Sequence, residues 1–403
     1  MNCSEKEVLQ YVAEEDVKFV RLAFCDVFGR QKNTSIPAEE LYRAFAHGVA
    51  FDASAITGFG DEGKSDLILH PEPDTLTPLP WRPEHGRVVR MFCHITYPDG
   101  TPFECDTRRV LKEAVSFAQK EGYSFRFGAE QEFYLFELDD KGRKTSIPYD
   151  QAGYMDIAPE DRGENIRREI CLTLEQMGIN PESSHHEEGP GQNEIDFHYS
   201  DPLTAADQAM TFQTVVRTIA ARNGLYADFS PKPIPDMPGN GFHINISVDP
   251  DNEADFNGLI AGILSRTEEI TAFLNPTEDS YRRLGLRKAP GYISWSRENR
   301  SQLVRIPAVT GGSRRMELRS ADPAANPYLV FALLIHAAIE GIKEKKPLPE
   351  PANINFFRAS ASELTGFKKL PDSLVKAKAI AEASEFVRAN LPAEVIQIYC
   401  RNE

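Results

Sequence analysis

Cysteine is sparse in this 403-residue chain. Cys3, Cys25, Cys93, Cys105, Cys171 and Cys400 form no C-x-x-C pair, which argues against a zinc ribbon and suggests no disulfide framework. A long apolar run is also missing. The most apolar stretch, Tyr328 to Ile342, is broken by His336 and Glu340. It is too short to span a bilayer and reads as a buried helix. The opening MNCSEKEVLQ is charged and has no apolar h-region, so no signal peptide is expected and the cytoplasm is the expected compartment. Positive charge is in deficit: 45 Lys and Arg face 61 Asp and Glu, for a net charge of −16. Nucleic acid and anionic membranes select basic surfaces, so neither is the expected partner, and solubility is the plain reading of the charge. No internal repeat or low-complexity tract is visible.

The composition is otherwise that of a globular protein, with 41% hydrophobic residues and enough length for two or three domains or one large two-part unit. Residues 17–30, VKFVRLAFCDVFGR, alternate and turn at Gly29, which predicts a hairpin in a small β-rich N-terminal unit. Pro71, Pro73, Pro78, Pro80 and Pro83 follow, then the strand-and-turn stretch CHITYPDG. A helix is predicted from Asp106, with Asp as N-cap, an apolar 3.6 period and a closing glycine. The domain boundary is placed near residue 100, giving domains over 1–100 and 101–403. Further helices are expected over 163–178, 204–223, 253–274 and 326–345, and in the tail from Leu370. Strands alternate with them, so the fold class is α+β.

Four strands carry charge on alternate residues. A period of two puts Glu130 and Glu132 of FRFGAEQEFYLF on one face and Phe125, Phe127, Phe133 and Leu135 on the other. In GQNEIDFHYS the polar face holds Gln192, Glu194, Asp196 and His198, against Ile195, Phe197 and Tyr199. In GFHINISV it holds His243, Asn245 and Ser247. In RRMELR it holds Arg315, Glu317 and Arg319, against Met316 and Leu318. One such strand alone would be an ordinary solvated sheet face. Four of them, rich in glutamate and arginine with little lysine, need cations nearby. Carboxylates with one imidazole suit Mg²⁺ or Mn²⁺ rather than a thiolate zinc site. Arginines grip carboxylate or phosphate, and metals with arginines suit phosphoryl transfer. GFGDEGKS (58–65) matches the P-loop pattern, but it runs toward Pro71 and Pro73 and carries Asp61 and Glu62 where phosphate would lie, so it is set aside.

The chain resembles the glutamine synthetases, type I, over nearly its whole length. The resemblance rests on FDASAITGF (51–59), GAEQEF (128–133), HHEEGPGQNEID (185–196), PKP with GNGFH (231–243), NPTEDSYRRL (275–284), NRSQLVRIP (299–307) and RRMELRSADPAANPYL (314–329). It implies a small β-grasp-like N-terminal domain and a large catalytic domain with a curved antiparallel sheet flanked by helices. The active site would lie between adjacent subunits of a homo-oligomeric ring. By the same resemblance Glu132, Glu187 and Glu194 match one metal site, and Glu130, His243 and Glu317 a second. Arg283, Arg319 and Gly239 match the grip on substrate glutamate. Arg300, Arg305 and Arg315 match phosphate contacts, and Ser247 a nucleotide contact. Asp52 matches the ammonium-site aspartate supplied by a neighbouring subunit, with Tyr154 near that site. His185 and His186 are expected to shape and polarise the site rather than bind metal, and Glu188 and Asp196 to be partly solvated without a role. The implied substrates are an amino acid, an amine and ATP, with two or more Mg²⁺ or Mn²⁺ ions per site. The implied reaction phosphorylates the γ-carboxylate of glutamate, and the amine then displaces phosphate.

The pattern departs at the amine end. Where the family has a loop glutamate before Ala-Pro, RLGLRKAP is one residue shorter and carries Lys288. Glu298 or another acid would then substitute, or a different amine or acid is used, or catalysis is weak or absent; a plainly exposed lysine is a further reading. Ala55 replaces a serine, Pro238 an asparagine and Asn245 a histidine. No adenylylation tyrosine follows Pro349, and no C-terminal strap of the dodecameric type is expected. Three functions stand at this stage: glutamine synthetase, a γ-glutamyl-amide ligase using another amine or acid, and a non-catalytic nucleotide-binding homologue.

Overall fold

A computed structural model of the chain describes residues 3–60, 63–82, 85–308 and 314–401. The N-terminal unit is a mixed sheet of β1 (Val17–Cys25), β2 (Gln31–Pro37), β3 (Val49–Asp52), β4 (Asp66–Pro71), β5 (Thr77–Pro78) and β6 (Arg87–Thr96). Its order is β2-β1-β6-β4-β3, with β5 also on β6; β1 and β6 run parallel. The β1–β2 hairpin closes where the sequence predicts. Asp26 holds the turn by accepting from the backbone N–H of Phe28 (3.0 Å) and Arg30 (2.8 Å). The stretch 58–65 leads into β4 and not into a helix, as the rejected P-loop reading requires. Asp61 and Glu62 within it, and Pro83, lie outside the described residues.

The second unit is built on nine strands: β7 (Ser124–Leu138), β8 (Lys144–Pro148), β9 (Pro181–His186), β10 (Gln192–Phe197), β11 (Leu225–Asp228), β12 (Phe242–Asp249), β13 (Trp295–Arg297), β14 (Val304–Ile306) and β15 (Met316–Leu318). The order is β13-β14-β15-β12-β7-β10-β9, with β8 and β11 paired to the long β7. The sheet is antiparallel except for the β13–β14 pair. It curves, and one face packs on helices, giving the expected α+β architecture with a β-grasp-like first unit. Phe125, Phe127, Phe133, Ile195, Ile244 and Leu318 point into that core.

The helix beginning at Thr107 is capped by Asp106, whose side chain accepts from Arg109 N–H. The other helices expected from the sequence run Glu164–Gln176, Pro202–Arg222, Glu253–Leu274 and Pro327–Lys343, and shorter ones run Glu5–Glu14, Leu41–His47 and Glu278–Arg283. Helix Pro202–Arg222 starts two residues before the predicted 204, because Asp201 caps it and Pro202 suits the first turn. Helices Glu253–Leu274 and Pro327–Lys343 cross at backbone contact: a Cβ on Gly262 would stand 2.1 Å from the Ala337 carbonyl oxygen. The tail folds as Leu374–Ala383, Glu385–Asn390 and Ala393–Cys400. Among the described residues, no helix is long and apolar enough to cross a membrane.

The two units are joined by buried charge. Arg108 donates to Glu72 of the first unit (2.7 Å) and to Asp207 of the second (2.9 Å). This fixes the N-terminal sheet against the helices behind the curved sheet.

Candidate active site

Register across β7 assembles the site. Glu132 faces Glu194 of β10, and Asp196 faces Glu130. On the other side His243 of β12 faces Glu130, and Asn245 faces Glu317 of β15, which faces Arg305 of β14. Residues at paired positions share a sheet face, so five strands place their polar positions on one surface. That surface lines a pocket of about 290 Å³ with Glu130, Glu132, Tyr154, His185, Glu187, Glu194, Gly239, His243, Arg283, Arg300, Arg305 and Arg319 among its walls.

The acidic side contains overlapping groups whose ligand atoms lie within 4.8 Å of one another: Glu130, His243 and Glu317; Glu132, Glu194 and His243; His185, Glu187 and Glu194. The second-site trio expected from the sequence is therefore brought together. Glu132 and Glu187 of the first-site trio each lie in a group with Glu194. A further group joins Glu130, Glu194 and Asp196. Burial first, then Asp196 and Glu132, pushes the Glu194 carboxyl well above the usual carboxylate range. Burial and then Glu130 push Asp196 up to about 6. Glu132 is raised by burial as well. Asp196 Oδ1 is buried without a hydrogen-bond partner. Carboxylates this crowded have oxygens to give and too few protein cations to give them to. The donor set of hard oxygens and imidazoles, with no thiolate in these groups, fits Mg²⁺ or Mn²⁺.

The basic side behaves differently. Burial opposes ionisation of Glu317, but Arg319, His243 and Arg305 hold its carboxyl at about 2. Arg319 Nη1 donates to Glu317 Oε1 (2.7 Å) and Nε to the Arg300 carbonyl (3.2 Å), and Arg305 Nε donates to the other Glu317 oxygen. Arg283 is 3% exposed and lines the pocket, with Nη1 donating to the Ser320 carbonyl (2.7 Å) and Nη2 more weakly to the Arg319 carbonyl (3.5 Å). Gly239 lies against it: a Cβ there would meet the Pro231 carbonyl oxygen at 2.3 Å and Arg283 Cγ at 2.9 Å. Glu187 is held at about 2, against its burial, chiefly by His185, whose Nε2 is 3.1 Å away.

Several expected residues lie elsewhere. Arg315 lines a second pocket of about 450 Å³, with Trp295, Arg297, Glu298 and Arg314. Glu298 is on that wall and not in the acidic pocket. Ser247 lies further along the β12 face, opposite Arg126, outside the lining of both pockets. Asp52 is exposed on edge strand β3, where its carboxylate accepts from Ser54 N–H (2.9 Å). Alternation overreached at the end of β10. A register irregularity between Asp196 and Phe197 leaves His198 exposed, 3.9 Å from Glu182, and Tyr199 48% exposed instead of in the core. His186 does not face the pocket: it is fully buried and bonds Asp150.

Other residues at the site had no role in the sequence reading. Asp196 is a member of the acidic cluster. Asn245 donates to Glu130 (2.6 Å), and Gln192 donates to Glu132 (3.1 Å). Gln192 and Asp196 shared the alternation that marked Glu194, so the signal was present. Lys288 lines the pocket, half exposed, with Nζ 2.7 Å from Glu188 Oε1.

Metal-type donors facing arginines on one curved sheet suit phosphoryl transfer, and similarity to known enzymes makes the chain an ATP-dependent ligase. Residues 16–98 match the family described as glutamine synthetase, beta-Grasp domain, and residues 104–403 match glutamine synthetase, catalytic domain. The chain belongs to the glutamine synthetase family. It is 46% identical to the glutamine synthetase of Methanosarcina mazei, covering 100% of this chain and 94% of that one. It is 43% identical to that of Clostridium saccharobutylicum, covering 98% and 93%. Among solved structures, it is similar to a GmaS/ADP complex at TM-score 0.88 and 26% identity, covering 99% of this chain and 94% of that one. It is also similar to apo GmaS without ligand at TM-score 0.87 and 27% identity, covering 97% and 93%.

Proposed function

We propose that the protein makes glutamine from glutamate, ammonia and ATP through γ-glutamyl phosphate. The observation that carries this reading is the division of one pocket into a cation-hungry carboxylate side and an arginine side. Glu130, His243 and Glu317, and Glu132, Glu187 and Glu194, would hold two or more divalent ions, which supply positive charge to the transferring phosphoryl group when bound. Arg283 and Arg319, with Gly239 leaving room beside them, would clamp the α-carboxylate of glutamate and orient its γ-carboxylate toward ATP. Arg300 and Arg305 would stabilise charge on the phosphoryl oxygens. Arg315 and Ser247 would contact the nucleotide from the second pocket and the β12 face.

We further propose that the enzyme is a cytoplasmic homo-oligomeric ring, with a 1–100 N-terminal domain and a 101–403 catalytic domain. The acidic pocket is lined wholly by the second unit, and Asp52 lies on the exposed edge of the first. An Asp52 that serves an amine site would therefore come from a neighbouring copy.

Lys288 favours a second reading, a γ-glutamyl-amide ligase acting on another amine. Phosphate release from ATP and glutamate, measured across ammonium and a panel of alkylamines, tests both. A ratio of kcat/KM favouring ammonium supports glutamine synthesis. A ratio favouring an alkylamine replaces it with the second reading, and no release with any nucleophile overturns both.

A further inference from the structure

Lys288 and Glu188 both line the acidic pocket and come from segments far apart in the chain. Glu188 follows Glu187 in the turn between β9 and β10, and Lys288 sits in the loop after the helix Glu278–Arg283. The Lys288 Nζ is 2.7 Å from Glu188 Oε1 and 5.0 Å from the centroid of the Tyr154 ring, over its face. That ring is steadied edge-on by His185, with centroids 5.4 Å apart and planes at 84°.

The backbone does not favour this placement. Arg287 and Lys288 both have positive φ, +42° and +70°, in the left-handed region that side-chain-bearing residues avoid. The Lys288 ammonium nonetheless lies between a carboxylate and an aromatic face, which is how proteins recognise an organic cation. Chemically, that ammonium is a primary alkylammonium ion. The loop tip thus fills this corner of the pocket with a cation of the same class as a small primary amine.

We propose that Glu188 supplies a carboxylate to the acceptor-amine site beside Tyr154, and that Lys288 is its specificity-determining occupant, displaced by ammonium or a small primary alkylammonium. This rests on the ligase reading. It assigns to Glu188, on the turn, the carboxylate that the loop lacks. It also makes Lys288 an internal competitor: the amine is captured only as the lysine swings out. A charged nucleophile competes with Lys288 for Glu188, whereas an uncharged one has no use for that carboxylate.

The test compares ammonium and methylammonium with hydroxylamine, which is uncharged near neutral pH, as nucleophiles in phosphate release by the full-length enzyme with saturating ATP, Mg²⁺ and glutamate. Lys288→Met should lower the ratio of KM for ammonium to KM for hydroxylamine by about tenfold, the scale of one charge-assisted contact. Glu188→Gln should raise that ratio by a similar factor, and methylammonium should follow ammonium. An unchanged ratio in both variants overturns the proposal. If no nucleophile supports phosphate release, the ligase reading has failed, and calorimetric titration with methylammonium decides the subsite alone. Tighter binding by Lys288→Met than by the unaltered protein, lost again in the Lys288→Met/Glu188→Gln double variant, supports it; equal binding by all three overturns it.

Discussion

His186 Nε2 lies 2.8 Å from Asp150 Oδ1, and both side chains are essentially excluded from solvent one layer behind the pocket. The other ring nitrogen is 2.7 Å from the Glu187 carbonyl oxygen. Burial lowers the His186 pKa, but the bonds to Asp150 and to the Glu187 carbonyl outweigh it and raise it, which favours the doubly protonated ring. The same Asp150 oxygen accepts from Gly191 N–H at 2.9 Å. The pair therefore pins both ends of the turn that presents Glu187. Asp150→Ala strands a buried cation and should cost about 3–5 kcal/mol in urea unfolding. Asp150→Asn should fold better, yet bind Mn²⁺ about ten- to a hundredfold more weakly by calorimetry. Full Mn²⁺ affinity in folded Asp150→Asn would show that the pair does not position the turn.

The crowded carboxylates predict opposite responses in metal-free and metal-loaded protein. Burial and its neighbours keep the Glu194 carboxyl protonated well above the usual range, which costs stability at neutral pH; Glu194→Gln removes that cost and should raise the Tm of the metal-free protein there. The same variant should lose the Tm rise that Mn²⁺ gives the unaltered protein, where ion at a hundredfold its Kd adds about 2.7 kcal/mol. Asp196, pushed up to about 6, is partly protonated at that pH without metal. Mn²⁺ binding should release protons near pH 6, read as a dependence of the binding enthalpy on the buffer's ionisation heat. A metal-free Glu194→Gln protein that melts below the parent contradicts this account.

His336 sits in the helix Pro327–Lys343, its ring 5.0 Å from that of Phe117, and burial lowers its pKa from 6.5 to about 4. The unfolded chain takes up this proton near 6.5 and the native protein resists it down to about 4. Stability therefore rises with pH through that window and is lost as pH falls below 6.5, by up to about 3 kcal/mol. His336→Leu should flatten the stability profile between those values, measured by urea unfolding in a pH series. An unchanged slope would mean that other groups set it.

Arg319 is 2% exposed and divides its guanidinium between Glu317 and the Arg300 carbonyl. A lysine offers a point charge and cannot serve both. Arg319→Lys should lose about 1.5–3 kcal/mol of charge-assisted hydrogen bonding. If Arg319 also grips glutamate, KM for glutamate should rise about ten- to a hundredfold, with KM for ATP moving less. Equal rises in both would point to a general collapse of the site.

Much of this arrangement was legible because strand alternation is local. Glu130 and Glu132 had to share a face, as did His243 with Asn245 and Glu317 with Arg319. Which face meets which is a matter of register, and no local pattern contains it. The bonds from Asn245 to Glu130 and from Gln192 to Glu132 are cross-strand facts of that kind. The grouping of His243 with Glu130 and Glu317 came from family resemblance, and the geometry brings those three together. His198 misled because a strand's end is set by a neighbour's register. Asp52 is not among the residues that line the pocket, which all belong to the second unit, and local pattern could not have shown that.

The long strand β7 pairs with β8, β10, β11 and β12, and the bond between Glu130 and Asn245 joins residues 115 apart in the chain. Contacts of such separation close slowly, because the loop entropy is lost before the pairing is gained. β15, which carries Glu317, is the last strand to be synthesised. The group of Glu130, His243 and Glu317 is therefore completed last, whereas His185, Glu187 and Glu194 lie on and between neighbouring strands made much earlier. One half of the acidic pocket is thus local in the chain and the other half depends on the last strand to join the sheet.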